Sequence, residues 1–149
     1  MAGPFDELPD RRGAPTWPHN LARIEPLQRR LGHTFARPAL LRVALTHPTW
    51  TNEHGRSGWP SNATLEFFGD AVLDLLATEA LWRRFPGQPE GVLTRLHAAL
   101  VSEPALAAAA RSIELGPLLW VARDKSDLRD HAGALADAAE AILGAAYLD

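Results

Sequence analysis

The sequence predicts an all-α fold. Apolar residues recur at helical spacing from about residue 20 onward, and no stretch alternates polar and apolar as a half-buried strand does. Proline, glycine and capping residues cut that pattern into helix-length pieces. Residues 1–19 stand apart. They hold four of the twelve prolines (Pro4, Pro9, Pro15 and Pro18) with little apolar periodicity. Such a segment buries too little surface to offset its ordering entropy, so a disordered or loosely draped tail is expected ahead of one domain, 20–149.

The elements follow in order. Pro26 stands as a first-turn proline, which opens a helix through Leu27-Gln28-Arg29-Arg30-Leu31 to a stop at Gly32. Pro38 opens the next, which runs to Leu45 and ends near Pro48. The polar, glycine-containing stretch from Thr51 to Ser61 predicts a loop. The longest helix is expected from about Asn62 to Arg84, on Leu65, Phe68, Val72, Leu76 and Leu81, with Phe85-Pro86-Gly87 as its stop. Pro89-Glu90 put a proline and an acid in the first turn of another, where the macrodipole favours them. It continues through Leu93, Leu96 and Leu100, and Ser102 then reads as the N-cap of a helix reaching Ser112. Residues 123–131 are charged and loop-like, and an alanine-rich helix runs from about Gly133 to Leu148. There is no internal repeat.

Composition narrows the function. Of 149 residues none is cysteine, which excludes a disulfide scaffold and a thiolate metal site. No apolar run approaches the roughly 20 residues of a membrane span, and the N-terminus lacks the basic-then-apolar pattern of a signal peptide. A soluble, cytoplasmic chain is expected. The net charge of −3 does not advertise a polyanionic partner. Lys125 is the one lysine among fifteen basic residues, and arginine suits phosphate, although codon bias would give the same excess.

Four acids sit where a solvated surface would not put them. Glu66 and Asp70 are four apart in an otherwise apolar stretch, Leu65 to Leu73, so they project from adjacent turns of one face. Asp137 and Glu140 are three apart among alanines, which would let a neighbouring helix come close. Two such pairs face to face would make a cluster of four carboxylates, and burying them requires positive charge between them. Arginines would serve. So would hard divalent cations such as Mg²⁺ or Mn²⁺, which prefer oxygen ligands. Di-iron bundles use a Glu-x-x-His pair instead, and no histidine lies at that spacing here. Spacing alone leaves both open.

The stretch Asn62-Ala63-Thr64-Leu65-Glu66-Phe67-Phe68-Gly69-Asp70-Ala71 resembles the signature of the ribonuclease III family. Other blocks agree in order. Leu31-Gly32-His33-Thr34-Phe35 and Ala44-Leu45-Thr46-His47 lie before it. Arg84-Phe85-Pro86, Glu90-Gly91-Val92-Leu93-Thr94-Arg95-Leu96, Ala99-Leu100-Val101-Ser102, Leu135-Ala136-Asp137-Ala138-Ala139-Glu140-Ala141 and Tyr147-Leu148-Asp149 follow. The likeness covers about Leu27 to Asp149, and one block could be chance where this many in order could not.

What the resemblance implies is a homodimeric, all-helical endonuclease domain over 20–149 that cuts double-stranded RNA in RNA processing, leaving 5′-phosphate and 3′-hydroxyl ends. Glu66, Asp70, Asp137 and Glu140 match the family's metal-binding carboxylates, with Asp70 and Glu140 as the catalytic pair and Mg²⁺, or Mn²⁺ in its place, as the cofactor. Glu90 matches an acid that borders the site across the dimer. Phe67 matches an aromatic inserted into the partner subunit, its alternative being an intrachain core residue. Setting the four acids aside leaves the rest of the chain slightly basic, which answers the charge objection. The rival implication is a catalytically silent, RNA-binding or ribosome-associated scaffold, a class that commonly lacks one or more of these acids.

The departures are specific. Ala63 stands where the signature has its first glutamate and Thr64 where it has arginine. Of the family's Lys-Ser-Gly-Gly loop, the run from Lys125 to His131 keeps Lys125 and Ser126 alone. Most bacterial members continue into a double-stranded RNA-binding domain; a standalone catalytic domain and a piece of a longer chain both fit. His47 and His97 read as structural, Asp74 as a rim residue, and the five tryptophans as scattered rather than arrayed for stacking.

Overall fold

The computed structural model describes residues 21–55 and 58–149. The expected tail, 1–19, lies outside the described residues. The helices are α1 (Leu21–Leu31), α2 (Pro38–Ala44), α3 (Pro48–Glu53), α4 (Ala63–Arg84), α5 (Glu90–Leu100), α6 (Glu103–Ser112) and α7 (Ala132–Leu148). Short 3₁₀ turns occupy Gly116–Leu118 and Ser126–Arg129. Among the described residues the one β-type pairing is an isolated bridge between Thr46 and Trp120, and no helix is long and apolar enough to cross a membrane. The expected all-α class is what the described residues form.

Two boundaries differ from expectation. α1 begins at Leu21, so Pro26 lies inside it rather than opening it. In the second turn a proline cannot donate to the carbonyl four residues back and sets its ring against it, so α1 carries Pro26 at a cost of one ladder bond. The expected loop from Thr51 is helical as far as Glu53. Pro48 begins α3 instead of merely ending α2, and the His47 side chain caps it by accepting the Thr49 N–H at 3.2 Å.

The core gathers Leu40, Leu41 and Val43 of α2, Leu65 of α4, Ala107 and Ala110 of α6, Leu115, Leu119, and Leu135, Ala138, Ala141, Ile142 and Ala145 of α7. α7 packs against α4, α6 and α2, while α5 packs on the outer side of α4. The corner between α2 and α3 is tied down twice. His47 N–H donates to the Trp120 carbonyl and Trp120 N–H to that of Leu45, each at 2.9 Å, while Asn62 N–H, at the head of α4, donates to the Thr46 carbonyl at 2.7 Å. The far end of α7 is clasped by Asp149. Its buried carboxylate accepts the backbone N–H groups of Ala36 (2.9 Å) and Arg37 (2.7 Å) and sits 3.0 Å from His33 Nε2. Burial alone would raise that carboxyl, but those donors outweigh it and hold it below its ordinary value.

The two long helices cross almost backbone to backbone. A Cβ added at Gly69 would lie 1.8 Å from the Glu140 carbonyl oxygen, and one at Gly144 would lie 2.6 Å from that of Leu65. Only glycine fits either position without separating α4 from α7.

Gly69→Ala is therefore expected to destabilise the fold by about 3 kcal/mol or more in urea denaturation, at or above the usual range for overpacking. Gly91→Ala on α5, whose added Cβ would meet nothing nearer than Arg95 Nη1 at 3.7 Å, should be neutral or stabilising by about 0.5–1 kcal/mol.

Candidate metal centre

The site lies beside that crossing. Leu65 and Gly69 are the buried positions of the first turns of α4, so Glu66 is brought to the edge of the seam and Asp70 beyond it. Glu66 also falls in the first turn of a long helix, where a carboxylate is favoured by the macrodipole. On α7, Ala136, Ala138 and Ala141 are buried and flank Asp137 and Glu140, which are half-buried. Small residues there let the α4 backbone approach until the acids of both helices meet.

They meet closely. One carboxylate oxygen each of Glu66, Asp137 and Glu140 lie within 4.8 Å of one another. Asp70 is exposed and outside this trio, although its charge acts on both Glu66 and Glu140. Three of the four expected acids thus share one focus, and the fourth stands one helical turn away from Glu66.

The electrostatics are those of uncompensated negative charge. Burial, then Asp70, Asp137, Glu66 and Asp74, push the Glu140 carboxyl up to about 7. Burial and the charges of Asp137 and Asp70 raise Glu66. Burial raises Asp137 too, with Glu103 adding to it and His47 and His131 opposing it. No arginine or lysine of the described residues is among the charges acting on the trio. Arginine pairing, one of the two options that spacing left open, is not seen for these side chains among the described residues. An all-oxygen donor set of three carboxylates suits a hard divalent cation.

The other expected residues are distributed around the site. Glu90 opens α5, is exposed, accepts the Thr94 hydroxyl at 2.7 Å and is not among the charges acting on the trio. Phe67 is 81% exposed, so it is no core residue of its own chain. Leu75 and Trp82 extend the same face of α4 and are also exposed. Asp74 is on the rim, with Oδ1 3.4 Å from His97 Nε2. Ala63 and Thr64 are exposed in the first turn of α4. Sequence reasoning missed His47, Glu103 and His131 as neighbours of Asp137. They come from the α2–α3 corner, α6 and the turn before α7, so no spacing along the chain could have grouped them.

The profile of a family described as Ribonuclease-III-like matches residues 37–149. Ribonuclease 3 of Pelotomaculum thermopropionicum is 46% identical over 125 residues, 83% of this chain and 52% of that protein. Ribonuclease 3 of Oceanobacillus iheyensis is 43% identical over 128 residues, 85% of this chain and 56% of that protein. The chain therefore spans about half the length of these relatives. A solved nuclease domain of ribonuclease III from Campylobacter jejuni, described for flexibility in a region involved in dimer formation, superposes with a TM-score of 0.76. It is 38% identical, over 84% of this chain and 85% of that one.

The raised Glu140 carboxyl predicts how the protein without metal responds to pH. For an acid whose value is higher folded than unfolded, stability is greatest below the unfolded value and falls as pH rises through the folded one, here between about 4.5 and about 7. Glu140→Gln removes that loss. In EDTA its melting temperature should exceed that of the parent chain at pH 8 and match it near pH 5; a gain equal at both pH values would contradict the charge cluster.

Proposed function

The chain belongs to the ribonuclease III family, and on that footing we propose that it is a metal-dependent endoribonuclease that hydrolyses phosphodiester bonds of double-stranded RNA. The observation that carries the reading is the trio of Glu66, Asp137 and Glu140, with oxygens within 4.8 Å and no arginine or lysine of the described residues among the charges acting on it. Leaving three carboxylates half-buried together is costly unless a cation joins them. A divalent ion bound there, Mg²⁺ or Mn²⁺ in its place, supplies positive charge to a phosphoryl group and acidifies water.

The remaining work falls to this chain's residues. Glu66, Asp137 and Glu140 hold the cation, and Asp70 completes the set from the solvent side of α4, where it faces incoming substrate. Asp70 and Glu140 form the catalytic pair. Glu140 needs deprotonation to act as a ligand, so cation affinity rises through about pH 7. Hydrolysis leaves 5′-phosphate and 3′-hydroxyl ends.

Homodimerisation fits the surface of α4. Phe67, Leu75 and Trp82 line one face at 81%, 61% and 71% exposure, and Leu96 and Leu100 of neighbouring α5 are exposed as well. Exposed large apolar side chains grouped on one helix face mark an interface. A second copy covering it places Phe67 against the partner subunit and brings Glu90 toward the partner's site. RNA processing in the cytoplasm is the matching context.

A long RNA duplex incubated with purified protein and Mg²⁺ should be cut. EDTA should abolish cutting, and Glu140→Ala should reduce it by at least about a hundredfold, beyond the usual cost of losing an outer-shell partner. In sedimentation, Phe67→Glu should shift dimer to monomer. Intact duplex with RNA binding retained would instead favour the silent scaffold.

A further inference from the structure

We propose that the last turn of α7 forms part of the contact surface for a second copy of this chain: the Asp149 clasp seats Tyr147 beside Phe68, where it meets the partner's Trp82 across a two-fold axis that passes Leu75. The inference rests on the dimer reading above and adds to it a second helix and the contacts that hold that helix in place.

Spacing along α4 sets the symmetry. Phe68, Leu75 and Trp82 stand seven residues apart, so they fall on one line along the helix, drifting about 20° at each step. Leu75 and Trp82 are 61% and 71% exposed, and Phe68 is half-buried. Leu75 stands midway. An antiparallel copy related by a two-fold axis therefore sets Leu75 against its own counterpart and Phe68 opposite the partner's Trp82. The line is self-complementary, as a contact between identical surfaces requires. Phe67, 81% exposed, flanks it on one side.

α7 supplies the other flank. The Tyr147 ring centroid lies 5.8 Å from that of Phe68 with the planes at 59°, and Tyr147 is still 63% exposed. A helix end frays unless it is tied down. Two ties act within two residues of Tyr147. The Asp149 side chain, 2% exposed, accepts the Ala36 and Arg37 N–H groups at 2.9 and 2.7 Å, and the Arg37 guanidinium donates to the Leu148 carbonyl. An exposed aromatic on a backbone held this way is pre-organised for contact. Area calls for it as well. The exposed parts of Phe67, Leu75 and Trp82 come to roughly 450 Å² per copy, against about 800 Å² per partner in a standard interface. α4 alone falls short, and Tyr147 adds about 140 Å² beside it.

Tyr147→Ser should weaken the dimer about tenfold or more in sedimentation equilibrium, the scale of truncating an interface aromatic. In the monomeric Phe67→Glu background the same change should leave the melting temperature where it was. Asp149→Asn should weaken the dimer in the same direction, but no further once Tyr147→Ser is present, because the clasp acts through that ring. The chain has no cysteine, so Trp82→Cys combined with Tyr147→Cys should give a disulfide-linked dimer on mild oxidation, and Tyr147→Cys alone should not. If Asp149→Asn does not fold, Tyr147→Ser and the cross-link decide. Folded Tyr147→Ser with parental dimer affinity, a double-cysteine chain that stays unlinked, or an Asp149→Asn effect undiminished by Tyr147→Ser overturns the inference and leaves the dimer reading standing. A parent chain that is monomeric at every concentration overturns both.

Discussion

The constraint on which the rest depends is the contact between the backbones of α4 and α7. Gly69 lies against the Glu140 carbonyl and Gly144 against that of Leu65, at distances that leave no room for a Cβ. Two helices that close carry their flanking side chains into one another's space. Glu66 sits three residues before Gly69, and Glu140 lies four before Gly144. The meeting of the acids is a geometrical consequence of the meeting of the glycines. Burial of Leu65, Val72, Ala138, Ala141 and Ala145 along the same seam opposes the charge repulsion that this arrangement creates.

Placing like charges together in a half-buried seam has an electrostatic cost, visible as the upward shift of Glu66, Asp137 and Glu140. Ordinary stability would be better served by an arginine or by apolar residues there. The fold instead spends its cations elsewhere. Arg30 pairs with Glu114, Arg29 with Glu25 and Arg83 with Glu79, all on outer surfaces. A seam that keeps three acids together, with no arginine or lysine of the described residues acting on them, suits an external cation. The same helix presents Phe67, Leu75 and Trp82 outward, so α4 serves the acid site along one edge and an apolar contact face along another.

Much of this was legible in the sequence, and what was not has a physical reason. α4, α5, α6 and α7 stood within about a residue of their expected limits because apolar period, Ser102 and the Phe85-Pro86-Gly87 stop all agreed. The acid pairs were legible because charge inside an apolar run is unusual. α3 was hidden because Pro48 serves equally well after one helix and at the start of another, and only the ring of His47 on the Thr49 N–H decides. Pro26 misled for a similar reason, since a proline marks a first turn loosely. Whether Phe67 faced its own core depended on how α4 rotates against α7, which period alone does not fix. The separation of Asp70 from the trio has the same origin, because i and i+4 share a face without sharing a focus. His47, Glu103 and His131 reach Asp137 only through tertiary folding.

The central claim is that this crossing builds a binding site for a divalent cation between Glu66, Asp137 and Glu140. Its most direct test is diffraction at the manganese absorption edge from crystals grown with Mn²⁺ above pH 7. The account predicts an anomalous peak within coordination distance, about 2.0–2.3 Å, of a carboxylate oxygen from each of the three residues. A saturating Mn²⁺ concentration that yields no peak there, or places the ion away from the seam, would contradict it.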